Sequence, residues 1–173
     1  MTGTRSVSGS NYPTSWTNGS ETLLGSFATT LPQIEVVGSD VYVIASNGAG
    51  VSTWKNGALQ SALSGGPNVG YGPVSVAGSG TDVYFCASGK TSTDPYGAVY
   101  VWKNSGSPVL TINTTSTTSI VRSGFGCLGV SSLGDIYIAG WAGTSVVYWK
   151  NGTQNVLPGT LASHVYGLAI REY

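Results

Sequence analysis

Groups able to do chemistry are scarce in this chain, and most of them recur. Its 173 residues include one histidine, His164, two cysteines, Cys86 and Cys127, and seven acidic against seven basic side chains. A single histidine excludes a histidine-based metal cluster, and no HExxH, EF-hand loop or nucleophile elbow occurs. A Ser/His/Asp triad through His164 stays open on spacing, since such groups meet only in space. Gly124, Gly126 and Gly129 match a GxGxxG phosphate loop, but a strand pattern follows them, so no helix dipole is available to hold a pyrophosphate. Gly89-Lys90-Thr91 has the end of a Walker A loop, yet Tyr84 stands where its first glycine belongs. Both matches are coincidence. No enzyme activity, cofactor or metal site is expected.

The recurring groups are better explained as structure. Asp40, Asp82 and Asp135 each open an alternating apolar run: Val41, Val43 and Ala45; Val83, Phe85 and Ala87; Ile136 and Ile138. A Gly/Ser-rich turn follows, then a second β-rich run ending on Trp54, Trp102 or Trp149, then Lys-Asn-Gly or a close variant. A weaker copy at the N-terminus ends in Trp16-Thr17-Asn18-Gly19. A tryptophan at the same place in every unit points to packing between units and not to a sugar-stacking platform. Tyr42, Tyr84 and Tyr137 are read the same way. The three aspartates follow turns, where Asp bonds the local backbone.

These residues must be positioned by strands. Period-two alternation of β-branched and aromatic residues between Gly, Asn and Asp clusters predicts strands joined by hairpins. Asn18-Gly19, Asn56-Gly57 and Asn151-Gly152 suit two-residue turns that need positive φ at both positions, and Asn104-Ser105-Gly106 is a looser version. Each unit reads as four strands. Strand A covers 34–37, 74–77, 128–130 and 168–170; B opens at Asp; C ends on Trp; D covers 22–27, 59–63, 109–112 and 156–157. No window carries helical periodicity for even three turns. A four-stranded antiparallel unit of ~40–50 residues repeated radially is a propeller blade.

The carriers are D-[VI]-Y-[VFI] at Asp40, Asp82 and Asp135 and W-[KT]-N at Trp16, Trp54, Trp102 and Trp149. On these motifs the whole chain resembles the β-propeller family, and in particular the repeats of bacterial secreted or surface propellers. Most proteins of the kind it resembles have no known activity. No Trp-Asp or Gly-His dipeptide marks a WD40 repeat, and the hemopexin-like propellers, also four-bladed, have motifs that are not matched here.

Asp to Trp is 14 residues in two copies (40 to 54, 135 to 149) and 20 in the third (82 to 102). Counting 14 back from Trp16 reaches Thr2, and counting 24 forward from Trp149 (the distance from Trp16 to Asp40) reaches Tyr173. Both termini then fall between strands A and B. The expectation is a single all-β domain over 1–173, a four-bladed β-propeller of four-stranded antiparallel blades. Three blades cover about 31–66, 71–113 and 125–160. The fourth is split between 1–30 and 163–173 and closed by N- and C-terminal strands, which would remove an exposed sheet edge. Exchange of that strand with a second copy fits the same phase, but a monomer is preferred over a homodimer.

Zero net charge without basic or acidic blocks argues against nucleic-acid partners, and no apolar run nears the ~20 residues of a membrane span. Low charge with abundant Ser, Thr, Gly and Asn is usual for secreted or surface β-proteins, so an extracellular or cell-surface location is expected. Two of the three sequons, at Asn18 and Asn151, coincide with repeat turns and read as turn chemistry; the third is at Asn113. Cys86 and Cys127 fall on adjacent blades. A disulfide between them is open, and two buried thiols are the preferred reading.

Function is then sought where the repeat is broken. In a propeller the B-to-C and D-to-A loops leave from one face, and unrepeated loop residues are where binding concentrates. The insertion 89–96 supplies Lys90, Asp94 and Tyr96. The low-complexity stretch 113–125 supplies Arg122 and Phe125. Tyr71, Trp141, His164 and Tyr166 complete the set. Aromatics with a few polar groups can stack on a sugar ring or anchor a protein. The leading expectation is a non-catalytic module that recognises a glycan or a protein through this face. The alternative is a structural unit that assembles into a larger propeller or serves as a spacer in a surface protein.

Overall fold

A computed structural model describes residues 1–25, 32–46, 50–60, 63–64, 72, 74–89, 97–113, 118–119, 127–142, 145–161, 165 and 167–171; the side chains of 118–119, 141–142 and 160–161 lie outside the description. The described residues are all β, in four antiparallel sheets. Sheet 1 holds β1 (Thr2–Val7), β2 (Ser10–Thr17) and β3 (Ser20–Leu23). Sheet 2 holds β4 (Gln33–Val37), β5 (Asp40–Ser46), β6 (Val51–Lys55) and β7 (Ala58–Leu59). Sheet 3 holds β8 (Val74–Ser79), β9 (Asp82–Gly89), β10 (Ala98–Lys103) and β11 (Leu110–Asn113). Sheet 4 holds β12 (Thr118–Ser119), β13 (Leu128–Val130), β14 (Ile136–Ala142), β15 (Ser145–Lys150) and β16 (Thr153–Leu161). In sheets 2 and 3 the strand order follows the chain, A to D, as in a propeller blade; sheet 1 holds three strands in chain order, and in sheet 4 both β12 and β13 pair with β14, which is followed by β15 and β16. No helix among the described residues is long and apolar enough to cross a membrane.

Alternation decides which residues face which neighbour, and the sheets stack face to face in chain order. Leu24 from sheet 1 packs with Val43, Ala45 and Trp54 of sheet 2. The opposite face of sheet 2, with Val37, Ile44 and Val51, packs on Val76, Phe85 and Trp102 of sheet 3. Sheet 3 turns Tyr84, Cys86, Val99 and Val101 toward Leu128, Ile138, Val147 and Trp149 of sheet 4. Trp54, Trp102 and Trp149 are thus each buried against the preceding sheet, with 3%, 0% and 3% of their surface exposed. This is the four-blade, propeller-like arrangement that the repeats imply.

Asn18, Asn56, Asn104 and Asn151 all have positive φ, as do Gly19, Gly57, Gly106 and Gly152. Asn is the residue that tolerates this left-handed region best after Gly. The chain therefore turns where the Asn-Gly pairs predict.

Three features depart from the sequence reading. The first is register. Val43 faces Trp54, Phe85 faces Trp102 and Ile138 faces Trp149, but Trp16 is bonded to Met1, donating its amide to the Met1 carbonyl at 2.9 Å. Met1 thus stands where Val43 stands, three residues past Asp40, because the β1–β2 hairpin is longer than β5–β6; counting back to Thr2 misplaces the phase. The second is the last A strand, expected at 168–170. Residues 167–171 carry no strand, and among the described residues β1 pairs with β2 alone, so the joining of N- and C-terminal strands is not part of what is described. The third is β12, which pairs with β14 (Ser119 opposite Trp141) inside a stretch expected to be loop.

Candidate functional site

The two ends of the sheet stack differ in chemistry. At one end lie the A–B and C–D turns, where a cluster repeats three times. Asp40 Oδ2 is 2.7 Å from Lys55 Nζ, and the same pair recurs as Asp82–Lys103 and Asp135–Lys150 at 2.7 Å. The other carboxylate oxygen accepts the amide of Asn56, Asn104 or Asn151 at 2.8, 2.9 and 2.7 Å. Each asparagine Oδ1 in turn accepts the first apolar amide of strand B, from Val41, Val83 or Ile136. The lysines also lie 5.4–5.7 Å from the centroids of Tyr42, Tyr84 and Tyr137, within cation–π range. The aspartate side chains bond across the hairpin ends, because the B–C register sets each lysine opposite Tyr42, Tyr84 or Tyr137, two residues past the aspartate and on the same face.

Electrostatics follow from that geometry. The lysine hydrogen bond, then the asparagine amide, holds Asp40, Asp82 and Asp135 below the usual carboxylate range. The same bond raises Lys55 and Lys103, and lifts Lys150 to about 12. A carboxylate held ionised against a lysine is a poor general base. These clusters fasten the hairpins.

The cysteines are thiols, not a disulfide. Burial pushes Cys86 up to about 12, helped by the nearby Cys127, and burial alone pushes Cys127 up to about 11. Neither supplies a thiolate nucleophile at neutral pH. Among the described residues no group of three or more His, Cys, Asp and Glu could hold a metal.

The other end carries the B–C and D–A connections, and it is here that the repeat is broken. Ala98 faces both Gly89 and Asn113, so the insertion holding Lys90, Asp94 and Tyr96 and the stretch holding Arg122 and Phe125 leave from one rung of sheet 3. Gly72, beside Tyr71, donates its amide to the Ser88 carbonyl at 2.8 Å, next to that rung. On sheet 4 the backbone of Trp141 pairs with Ser119 and with Val146, near the same end. Val165, between His164 and Tyr166, lies 3.9 Å from the Cys127 thiol at the start of strand A. Tyr71, Lys90, Asp94, Tyr96, Arg122, Phe125, His164 and Tyr166 themselves, and the Trp141 side chain, lie outside the described residues.

Sequence reasoning did not single out Thr118 and Ser119, which the structure sets on the edge of β14 beside Trp141. A Thr/Ser tract without apolar alternation gives no strand signal. Two apolar cavities were also not legible: one of about 410 Å³ at Val7, Tyr12, Leu23, Leu24 and Gly25, and one of about 370 Å³ that includes Tyr137, Val146, Tyr148, Leu157 and Leu168. They lie on the first and last sheets.

Compared with known proteins, the chain matches no family model, no curated protein and no solved structure.

Proposed function

We propose that this chain is a non-catalytic recognition module, binding a glycan or a protein through the end of the stack where the B–C and D–A connections leave. One observation carries the reading: the repeated polar chemistry is spent on the opposite end. Each Asp–Lys–Asn set is closed on itself, and the tryptophans of sheets 2 to 4 are buried between sheets. What remains unrepeated is the insertion 89–96, the stretch 113–125, and the positions around Tyr71, Trp141, His164 and Tyr166. An extracellular or cell-surface setting, where low charge and Ser/Thr/Gly-rich strands are common, belongs to the same reading.

The test is a glycan array and a surface-protein capture run side by side with the parent chain, Tyr96→Ala and Trp141→Ala. The reading expects retention of one ligand class by the parent and its loss in both variants without a change in melting temperature. Retention that survives both substitutions, or no ligand in either screen, would sink it. A second reading, a structural unit that assembles with copies of itself, draws on a different observation: the faces left uncovered on sheets 1 and 4.

A further inference from the structure

Each internal contact between sheets uses the same two surfaces. One is the tryptophan face of the later sheet; the other is the outward face of the earlier sheet. On sheet 3 that outward face is Tyr84, Val99 and Val101, exposed by 5%, 0% and 0% beneath sheet 4. Register makes Tyr137, Val146 and Tyr148 their equivalents on sheet 4: Tyr137 faces Lys150 as Tyr84 faces Lys103, and Tyr148 faces Ala139 as Val101 faces Cys86. All three are only half-buried, and Leu157 beside them is 40% exposed. At the other end of the stack Trp16 is half-buried, where its three counterparts are buried. On the same face Met1 is 82% exposed, Leu23 51% and, farther along the strands, Val7 38%. The two apolar cavities sit on these two faces. Sheets 1 and 4 thus carry two open surfaces that are the two halves of a contact made three times between sheets.

The strand edges repeat the pattern. The A strands β4, β8 and β13 lie next to one another in order. At the next place in that row, Ile170 and Leu168 crowd Gly129 so closely that an added Cβ would be 2.8 Å from Ile170 Cγ1. Residues 168–170 therefore sit where a further A strand belongs, but no strand is formed there, and β1, the B strand that would receive it, has β2 as its partner among the described residues.

We propose that the occupant of both open faces is a second copy of this chain. The Trp16 face of sheet 1 in one copy seats on the Tyr137, Val146 and Tyr148 face of sheet 4 in the other, and residues 168–170 of each chain become the A strand along β1 of its partner. Two identical head-to-tail contacts close a twofold ring of eight sheets, within the size range of propellers. The second copy is favoured over closure within one chain because, among the described residues, sheets 1 and 4 of the same chain share no hydrophobic cluster. The proposal stands independently of ligand recognition at the loop end.

The experiment is molar mass by light scattering on the 173-residue chain at micromolar concentration. A mass of about 35 kDa, twice the 17.7 kDa of one chain, is expected; a mass of 17.7 kDa overturns the proposal. Trp16→Asp and Tyr148→Asp lie on opposite faces and serve as the second readout. Each alone should weaken dimerisation at least ~30-fold, the scale of an interface hot spot. Mixed together they should recover a heterodimer, because one of its two contacts is then intact. A dimer unaffected by either substitution, or a mixture that stays monomeric, contradicts the head-to-tail arrangement.

Discussion

Trp102 Nε1 donates a hydrogen bond to the Ser64 carbonyl at 2.8 Å, so the tryptophan that ends strand C of sheet 3 is tied to the chain leaving sheet 2. Its ring stacks on Tyr100 at 5.9 Å and is fully buried. A residue that could stack on a sugar is instead fixed between two sheets. Trp54, at the equivalent place, is 3% exposed, but its Nε1 has no hydrogen-bond partner among the described residues.

That difference gives the first prediction. Trp102→Ala should cost about 3–5 kcal/mol in a denaturant titration, the range for deleting a large buried aromatic. Trp102→Phe should lose about 1 kcal/mol more than Trp54→Phe, because Trp102 gives up the Ser64 hydrogen bond and Trp54 gives up none among the described residues. Equal losses in the two phenylalanine variants would show that the Ser64 bond contributes nothing.

Acid should act through the aspartate clusters. Their carboxylates are held below the ordinary value of about 4, so their contribution is present above that value and is lost as pH falls through the lowered one. The lysines are raised, so their contribution is present below about 10 and is lost in stronger base, near pH 12 for Lys150. Melting temperature followed across pH should therefore decline below pH 4, and the triple variant Asp40→Asn, Asp82→Asn, Asp135→Asn should flatten that decline. An unchanged acid limb in the triple variant would place the sensitive carboxylates elsewhere.

How much of this was readable in the sequence depended on what repeats. Strand order, the Asn-Gly turns and the buried role of Trp54, Trp102 and Trp149 follow from short-range rules that each copy restates. Phase at the N-terminus did not follow, since hairpin length varies between copies and only hydrogen bonding shows Met1 opposite Trp16. Strand β16 runs from Thr153 to Leu161, far beyond the expected 156–157, and includes Pro158 and Gly159. An outermost D strand tolerates Pro because its missing donor can face away from the sheet, and the register shift between Ser145 and Val147 takes up the irregularity. Eight of the nine candidate binding positions, and the Trp141 side chain, lie where no repeat constrains them. The sequence assigns those positions to connections between strands and carries no periodic signal that would arrange them.

The thiols provide a third check. With Cys86 raised to about 12 and Cys127 to about 11, neither should react with a thiol reagent at pH 8 in the folded chain, whereas both should titrate in denaturant. Fast labelling of the native chain would show that the contact between sheets 3 and 4 opens readily. Absence of thiols in denaturant would mean a disulfide.

The division between a repeated scaffold and unrepeated additions is tested most directly at the β9–β10 hairpin. Ser8-Gly9 already joins B to C in sheet 1 with a two-residue turn of positive φ, flanked by the Val7–Ser10 pair. In sheet 3 the pair Gly89–Ala98 offers the same footing. Residues 90–97 are replaced by Asn-Gly, and the melting transition is measured by calorimetry. The account predicts one cooperative transition within about 4 °C of the parent, the shift of roughly 1 kcal/mol in a domain of this size. A broad transition, or a fall well beyond that, would mean that the insertion is part of the fold and contradict the assignment of function to it.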